Sequence, residues 1–179
     1  FLEELSHIFD IVAGEREIDF IVNLEDTEEE VWFSPSKLER ILYNLLSNAF
    51  KYTQPGGYVK LSAKLIKEEK ETFVQISVKD NGRGIPKEAQ EQIFESYYQV
   101  EKRDHREGFG LGLSLTRSLI HMHKGEIRVE SEINKGSDFI VTLNVSEDAY
   151  NPDERSSENI TTEEIQKYNL RMKETIELI

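Results

Sequence analysis

Leu38, Ile41, Leu42, Leu45, Leu46 and Ala49 fall in one broad arc when plotted at about 100° per residue, and this predicts an amphipathic helix. The helix is expected to start at Ser34-Pro35, with the serine as cap and the proline in the first turn. It should run to about Tyr52 and stop at Gln54-Pro55-Gly56-Gly57, a strong breaker. Upstream, residues 1–14 have a weak helical pattern, Ile18–Leu24 reads as a strand, and Glu25–Glu30 is an acidic turn. Downstream, Val59, Leu61, Ala63 and Leu65 alternate with polar residues, as do Val74, Ile76 and Val78; each run predicts a half-buried strand, with Lys67–Glu71 as the hairpin loop.

Pro86 should lead a short helix over about Lys87–Phe94. Glu95–Glu107 is polar and patternless and reads as the most mobile segment. Gly108–Gly112 opens a helix bearing Leu115, Leu119 and Ile120 and running to about His123, with Lys124-Gly125 as its basic last turn and glycine cap. Ile127–Val129 and Phe139–Val145 are two more strands, joined by Asn134-Lys135-Gly136. Residues 149–160 read as a polar linker. Thr161–Ile179 reads as a last helix with Thr161 and Glu164 at capping-box spacing. Its Ile165, Tyr168, Met172, Ile176 and Ile179 form an apolar stripe that needs a partner, either its own domain or a second copy in a homodimer.

Composition narrows the classes. Lys and Arg number 22 against 35 Asp and Glu, a net charge of −13. That balance opposes a sequence-independent grip on nucleic acid or an anionic membrane, which need a basic face. An anionic ligand must be held by local devices: backbone N–H groups, a metal or a few placed cations. The absence of Cys excludes disulfides, thiolate catalysis and Cys-ligated zinc. No apolar run approaches the roughly 18 residues of a membrane span. The chain opens Phe1-Leu2-Glu3 without Met and is expected to be a fragment of something longer.

Three sites stand out. On the helix, Asn44, Asn48 and Lys51 lie at i, i+4 and i+7 and share a polar stripe. Asn disfavours helix interiors; the stripe is either a solvated face or a ligand site in which amide oxygens hold a hard cation and Lys a phosphate. Asp80-Asn81-Gly82-Arg83-Gly84-Ile85-Pro86 follows a strand directly; it reads as an ordinary turn or as a loop that approaches a ligand closely, with a carboxylate able to accept from an exocyclic amine. Gly108-Phe109-Gly110-Leu111-Gly112-Leu113 feeds a helix N-terminus, which can cradle phosphate. Its spacing is neither that of a P-loop nor that of a dinucleotide fingerprint.

In this order, the pieces resemble the ATP-binding catalytic domain of sensor histidine kinases, a superfamily shared with gyrase, the mismatch-repair ATPase and heat-shock chaperones. The resemblance covers residues 17–145, within a domain expected to span 1–148. Tyr43–Thr53 is similar to the asparagine-containing helix motif, Asp80–Pro86 to the first glycine motif, and Ile93–Tyr98 to the aromatic motif that begins the ATP lid. Gly108–Leu113 is similar to the second glycine motif and Gly136–Phe139 to the closing one. Ser96-Tyr97 stands where the family often has Pro-Phe, and Phe109 where a small residue is common.

The resemblance implies an α/β two-layer sandwich, a mixed sheet of about five strands with three helices on one face, and a mobile lid over the ATP site. It implies that Asn48 supplies an oxygen to Mg²⁺, Asn44 and Lys51 contact phosphates, and Tyr52 lies against adenine. Asp80 would accept from the adenine amine, while Gly82, Gly84 and Ile85 shape the base pocket. Gly108, Phe109, Gly110, Leu111, Gly112 and Leu113 would wrap the triphosphate, with Ser137 near the base. The implied activity is transfer of the ATP γ-phosphate to a His on a separate helical-hairpin domain of the same protein, then to a response-regulator receiver domain. The implied setting is the cytoplasmic part of a membrane-anchored bacterial sensor. His7 lacks the acidic residue, Arg and Thr-Pro that follow an acceptor and is read as lead-in to the first strand. Two alternatives are a hydrolytic ATPase, opposed by the neutral amide at Asn44 where a water-activating Glu would stand, and a docking module without transfer.

Overall fold

A computed structural model of the chain describes residues 1–27, 29–98 and 112–150. The expected lid segment, Gly108, Phe109, Gly110 and Leu111, most of the linker, and the 161–179 helix with its stripe lie outside the described residues.

Helix α1 (Leu2–Arg16) leads into strand β1 (Asp19–Leu24), and α2 (Pro35–Tyr52) is followed by β2 (Tyr58–Lys67) and β3 (Thr72–Asp80). Helix α3 (Gly112–Met122), β4 (Glu126–Glu132) and β5 (Gly136–Asn144) follow. The five strands form one mixed sheet in the order β1-β2-β3-β5-β4. β1 pairs in parallel with β2, and the remaining pairs are antiparallel. Strand alternation explains the layering: Phe20, Val22, Val59, Leu61, Ile76, Val78, Phe139, Val141 and Leu143 project to one face and join the core. Helix α1 packs on β1, α2 on β2 and β3, and α3 on β4 and β5. The opposite face carries Lys60, Ser62, Lys64, Gln75, Ser77, Arg128 and Asp138, the composition of a wetted surface.

Helix α2 is the centre of the core. Ile41, Leu42, Leu45 and Leu46 are wholly buried, as the apolar arc requires. The core reaches back ahead of residue 17: Leu5, Phe9, Val12 and Ala13 of α1 belong to it, and Phe9 stacks on Phe50 with ring centroids 5.7 Å apart. His7 lies on the exposed side of α1, 3.2 Å from Asp10.

Two local expectations are corrected, for the 87–94 helix and for Gly125, and the structure adds detail at Ser34 and Leu115. The helix expected over 87–94 is two 3-10 turns, Lys87–Ala89 and Gln92–Phe94, because the Gln90 amide between them donates to the carbonyls of Ile85 and Ser131 and fixes the chain there. Ser34 occupies the cap of α2 but makes no side-chain cap bond; its hydroxyl meets Ser36 Oγ at 3.3 Å. Lys124, not Gly125, adopts the left-handed turn after α3, at φ 49°, and Gly125 is required instead by proximity, since a Cβ there would lie 2.2 Å from the Thr142 carbonyl oxygen. Leu115 is 54% exposed, whereas its neighbour Thr116 turns inward.

His123 ties α3 to α2. Its Nδ1 donates to the Leu119 carbonyl at 3.0 Å, which leaves Nε2 to accept the Ser34 N–H at 3.2 Å. Burial, opposed by the Leu119 carbonyl and reinforced by Lys37, holds its pKa below the ordinary value of 6.5. The folded state therefore binds fewer protons at this site than the unfolded chain, so stability is lost as pH falls below 6.5. Glu39, pushed up to about 7 chiefly by burial, bends the curve the other way. The difference between wild type and His123→Gln isolates the histidine: urea midpoints from pH 7.5 to 5 should fall more steeply in the wild type, and parallel curves would refute the assignment.

Candidate nucleotide site

The site lies where the end of β3, the start of β5, the C-terminal half of α2 and the start of α3 converge. Asp80 closes β3 beside its β5 partner Ser137. Asp80 is 5% exposed, and its carboxylate accepts the Gly82 N–H at 2.8 Å and a backbone bond from Ser137. Burial raises its pKa; the Gly82 and Ser137 N–H groups pull it back, and Asp138 adds to the rise. A buried carboxylate held partly against its charge gains from one more donor, which is what an exocyclic amine supplies.

The loop after Asp80 is built for contact. A Cβ at Gly82 would stand 2.3 Å from the Tyr52 carbonyl oxygen, so only glycine allows the loop to close on the end of α2. Gly84 has φ +70°, and a Cβ there would meet the Glu132 carbonyl oxygen at 2.0 Å. The loop is also clamped from outside the motif. Ser131 Oγ accepts the Ile85 N–H, donates to the Gly136 carbonyl and lies 3.0 Å from Ser137 Oγ. The Arg83 guanidinium lies 4.2 Å from the Tyr52 ring centroid and the Lys51 ammonium 5.4 Å from it. This end of the site thus has a buried acceptor, a fixed loop and an aromatic ring.

The other end lies back along α2. Asn44 is eight residues before Tyr52, about 12 Å at the helical rise, with half-buried Asn48 between them. Asn44 Nδ2 donates to Thr116 Oγ1 at 2.8 Å. Gly112 is so close that a Cβ there would stand 2.4 Å from Asn44 Oδ1. The N-terminus of α3, the positive end of the helix dipole, therefore lies beside the Asn44 amide, an arrangement suited to phosphate.

Among the sequence-predicted residues, Asp80, Gly82, Gly84 and Ser137 gather with Tyr52 at one end, and Asn44 and Gly112 meet at the other. Ile85 and Leu113 are partly buried and pack against the apolar core. Ser131, Gln90, Arg83 and Thr116 were not singled out from the sequence. The first two act through fold-dependent bonds to a distant loop and leave no signal in spacing. Thr116 had one: a polar residue beside the inward-facing Leu119 and Ile120.

Among the described residues, no group of three or more His, Cys, Asp or Glu could hold a metal ion. A single amide such as Asn48 suits Mg²⁺ that takes its other oxygens from phosphates and water. No helix among the described residues is long and apolar enough to cross a membrane.

A two-layer sandwich with this glycine loop, buried acid and asparagine helix defines a family of ATP-binding domains, and comparison agrees. Residues 33–147 match the family model described as histidine kinase-, DNA gyrase B-, and HSP90-like ATPase, and the chain belongs to that family. It is 37% identical over 141 residues to the adaptive-response sensory kinase SasA of Synechococcus sp. (strain JA-2-3B'a(2-13)), covering 79% of this chain and 36% of that protein. It is 38% identical over 139 residues to the sensor histidine kinase WalK of Bacillus subtilis (strain 168), covering 76% of this chain and 22% of that protein. The chain thus spans roughly a third or less of the relatives it matches. Among solved structures, the catalytic domain of histidine kinase ThkA superposes with a TM-score of 0.68 at 27% identity, covering 86% of this chain and 92% of that one. Full-length ShkA in complex with AMPPNP gives 0.69 at 26% identity, covering 81% and 29%.

Proposed function

We propose that this chain is the ATP-binding catalytic unit of a two-component sensor histidine kinase. It presents the γ-phosphate of Mg²⁺-bound ATP to an imidazole on a separate helical-hairpin domain of the same protein, and the phosphoryl group passes on to a response-regulator Asp. The kinase relatives and a structural neighbour holding AMPPNP support the nucleotide and the reaction class. The observation that selects transfer over hydrolysis is residue 44: its amide cannot take a proton from water, and it is already bonded to Thr116.

In this reading Asp80 accepts from the adenine amine, Tyr52 lies against the base, and Gly82, Gly84, Ile85 and Ser137 shape its pocket. Asn44, Lys51, Gly112 and Leu113 meet the phosphates, as do Gly108, Phe109, Gly110 and Leu111 from outside the described residues. Asn48 would hold Mg²⁺, which neutralises phosphate charge when bound. The γ-phosphorus leaves the β,γ-bridging oxygen, whose bonding pair departs with ADP, and bonds to the imidazole nitrogen, whose lone pair attacks in line; the imidazole proton goes to solvent. The chain's own work is positioning and electrostatics. The unit would work in the cytoplasm, in a membrane-anchored bacterial sensor, with homodimer contacts through 161–179.

The test supplies the chain, γ-labelled ATP and Mg²⁺ to a helical-hairpin acceptor domain. Label should appear on the hairpin as an alkali-stable, acid-labile phosphate, and Asn48→Ala should reduce labelling by at least tenfold while leaving Mg²⁺-free nucleotide binding unchanged, on the scale of a lost charged contact. Label released only as inorganic phosphate would favour the hydrolase. Nucleotide binding with neither product would favour a docking module.

A further inference from the structure

We propose that Thr116 is the positioning residue for the phosphate end of the site: it locks the Asn44 amide and makes phosphate contact depend on the seating of α3 against α2. The proposal rests on the nucleotide reading above, in which Asn44 meets the phosphates. Thr116 is 1% exposed and lies one turn into α3, four residues after Gly112. A buried hydroxyl in that position needs a partner, and it has one across the helix interface, Asn44 Nδ2 at 2.8 Å.

The geometry holds the amide from two sides. Thr116 engages its nitrogen, while Gly112, one turn nearer the N-terminus of α3, crowds its oxygen so closely that no side chain fits between them. The Thr116 hydroxyl can accept from Nδ2 or donate to Oδ1, so it anchors the amide in either orientation, and the close approach of Gly112 confines the other side of the amide. The two contacts therefore restrict a torsion that is otherwise broad. One Nδ2 hydrogen remains to donate to a phosphate oxygen, and the Oδ1 lone pairs to accept from water. Because both contacts come from the first turns of α3, any displacement of that helix moves the amide with it.

Thr116→Val keeps the shape and removes the hydroxyl; Thr116→Ser keeps the hydroxyl. With the full 179-residue chain, Mg²⁺-ATP and adenosine affinities are measured by titration calorimetry and competition, alongside thermal melts and the Asn44 side-chain amide signal in nitrogen-labelled protein. Thr116→Val should weaken Mg²⁺-ATP binding about three- to tenfold, the range for one net hydrogen bond, and leave adenosine affinity unchanged. The Asn44 amide signal should move in Thr116→Val and keep its place in Thr116→Ser. Adding Thr116→Val to Asn44→Ala should cost no further affinity, because the two act through one contact. Equal loss for ATP and adenosine, or losses that add, would assign Thr116 to packing and overturn the proposal. If Asn44→Ala itself leaves Mg²⁺-ATP binding intact, the phosphate role of Asn44 fails, and the lock fails with it. Intact binding in Thr116→Val with loss in Asn44→Ala removes the lock alone. Should Thr116→Val not fold, Thr116→Ala carries the same comparison.

Discussion

Replacing Asp80 by Asn should lower ATP affinity by about tenfold to a hundredfold, the worth of a charged hydrogen bond in a buried pocket, without loss of stability in the free protein. The two halves have one cause. Asp80 is buried and its pKa is raised, so the folded state binds a proton there more readily than the unfolded chain does. Stability therefore rises as pH falls through the folded value, and ionisation near neutrality costs the fold something. A neutral amide removes that cost and can still accept the Gly82 N–H. ATP and ADP should suffer alike, because the contact is to the base, while GTP, which offers a carbonyl in place of the adenine amine, should not lose in parallel. Calorimetric titration and thermal melts on the same preparations check both halves. A variant that binds ATP normally, or that melts far below the wild type, would contradict the assignment.

Gly84→Ala should be the most damaging single-methyl change in the site. The residue sits at φ +70°, which costs a side chain about 1–2 kcal/mol. The added carbon would also stand 2.0 Å from the Glu132 carbonyl oxygen, so the loop must leave the β4–β5 turn. That movement breaks the bond from the Asn134 N–H to the Arg83 carbonyl and the one from the Ile85 N–H to Ser131. A stability loss of about 1–3 kcal/mol is expected in urea denaturation, with ATP affinity falling at least as far as in Asp80→Asn. Gly56→Ala is the control. Its φ is +79° and nothing lies within 4 Å of the new carbon, so only the conformational cost applies and ATP binding should survive. Equal loss of binding in the two variants would mean that the Gly84 contact does not shape the pocket.

Among the described residues, the sequence by itself determined the five strands and helices α2 and α3 in their order, because periodicity reports burial directly. The arc from Leu38 to Ala49 could face only a core, and alternation in β2 and β3 could only be half-buried strands. It also brought out the loop after β3. Asp80, Gly82 and Gly84 are neighbours in the chain, and their chemistry, an acid at a strand end followed by two turn-forming glycines, is local. Two local expectations failed where a distant partner outbid local propensity: Gln90, held by Ile85 and Ser131, broke a helix into two turns, and Gly125 was required by the approach of β5 rather than by its own torsion. The membership of α1 in the core was equally hidden, because its pattern is weak and Phe9 finds Phe50 only when the sheet brings them together. Only the tertiary structure decided what holds the site in shape. Ser131 reaches Ile85 across 46 positions and Thr116 reaches Asn44 across 72, and a hydrogen bond over such a separation leaves no spacing to read: it exists because the sheet order puts β5 and β4 beside the loop after β3 and seats α3 against α2.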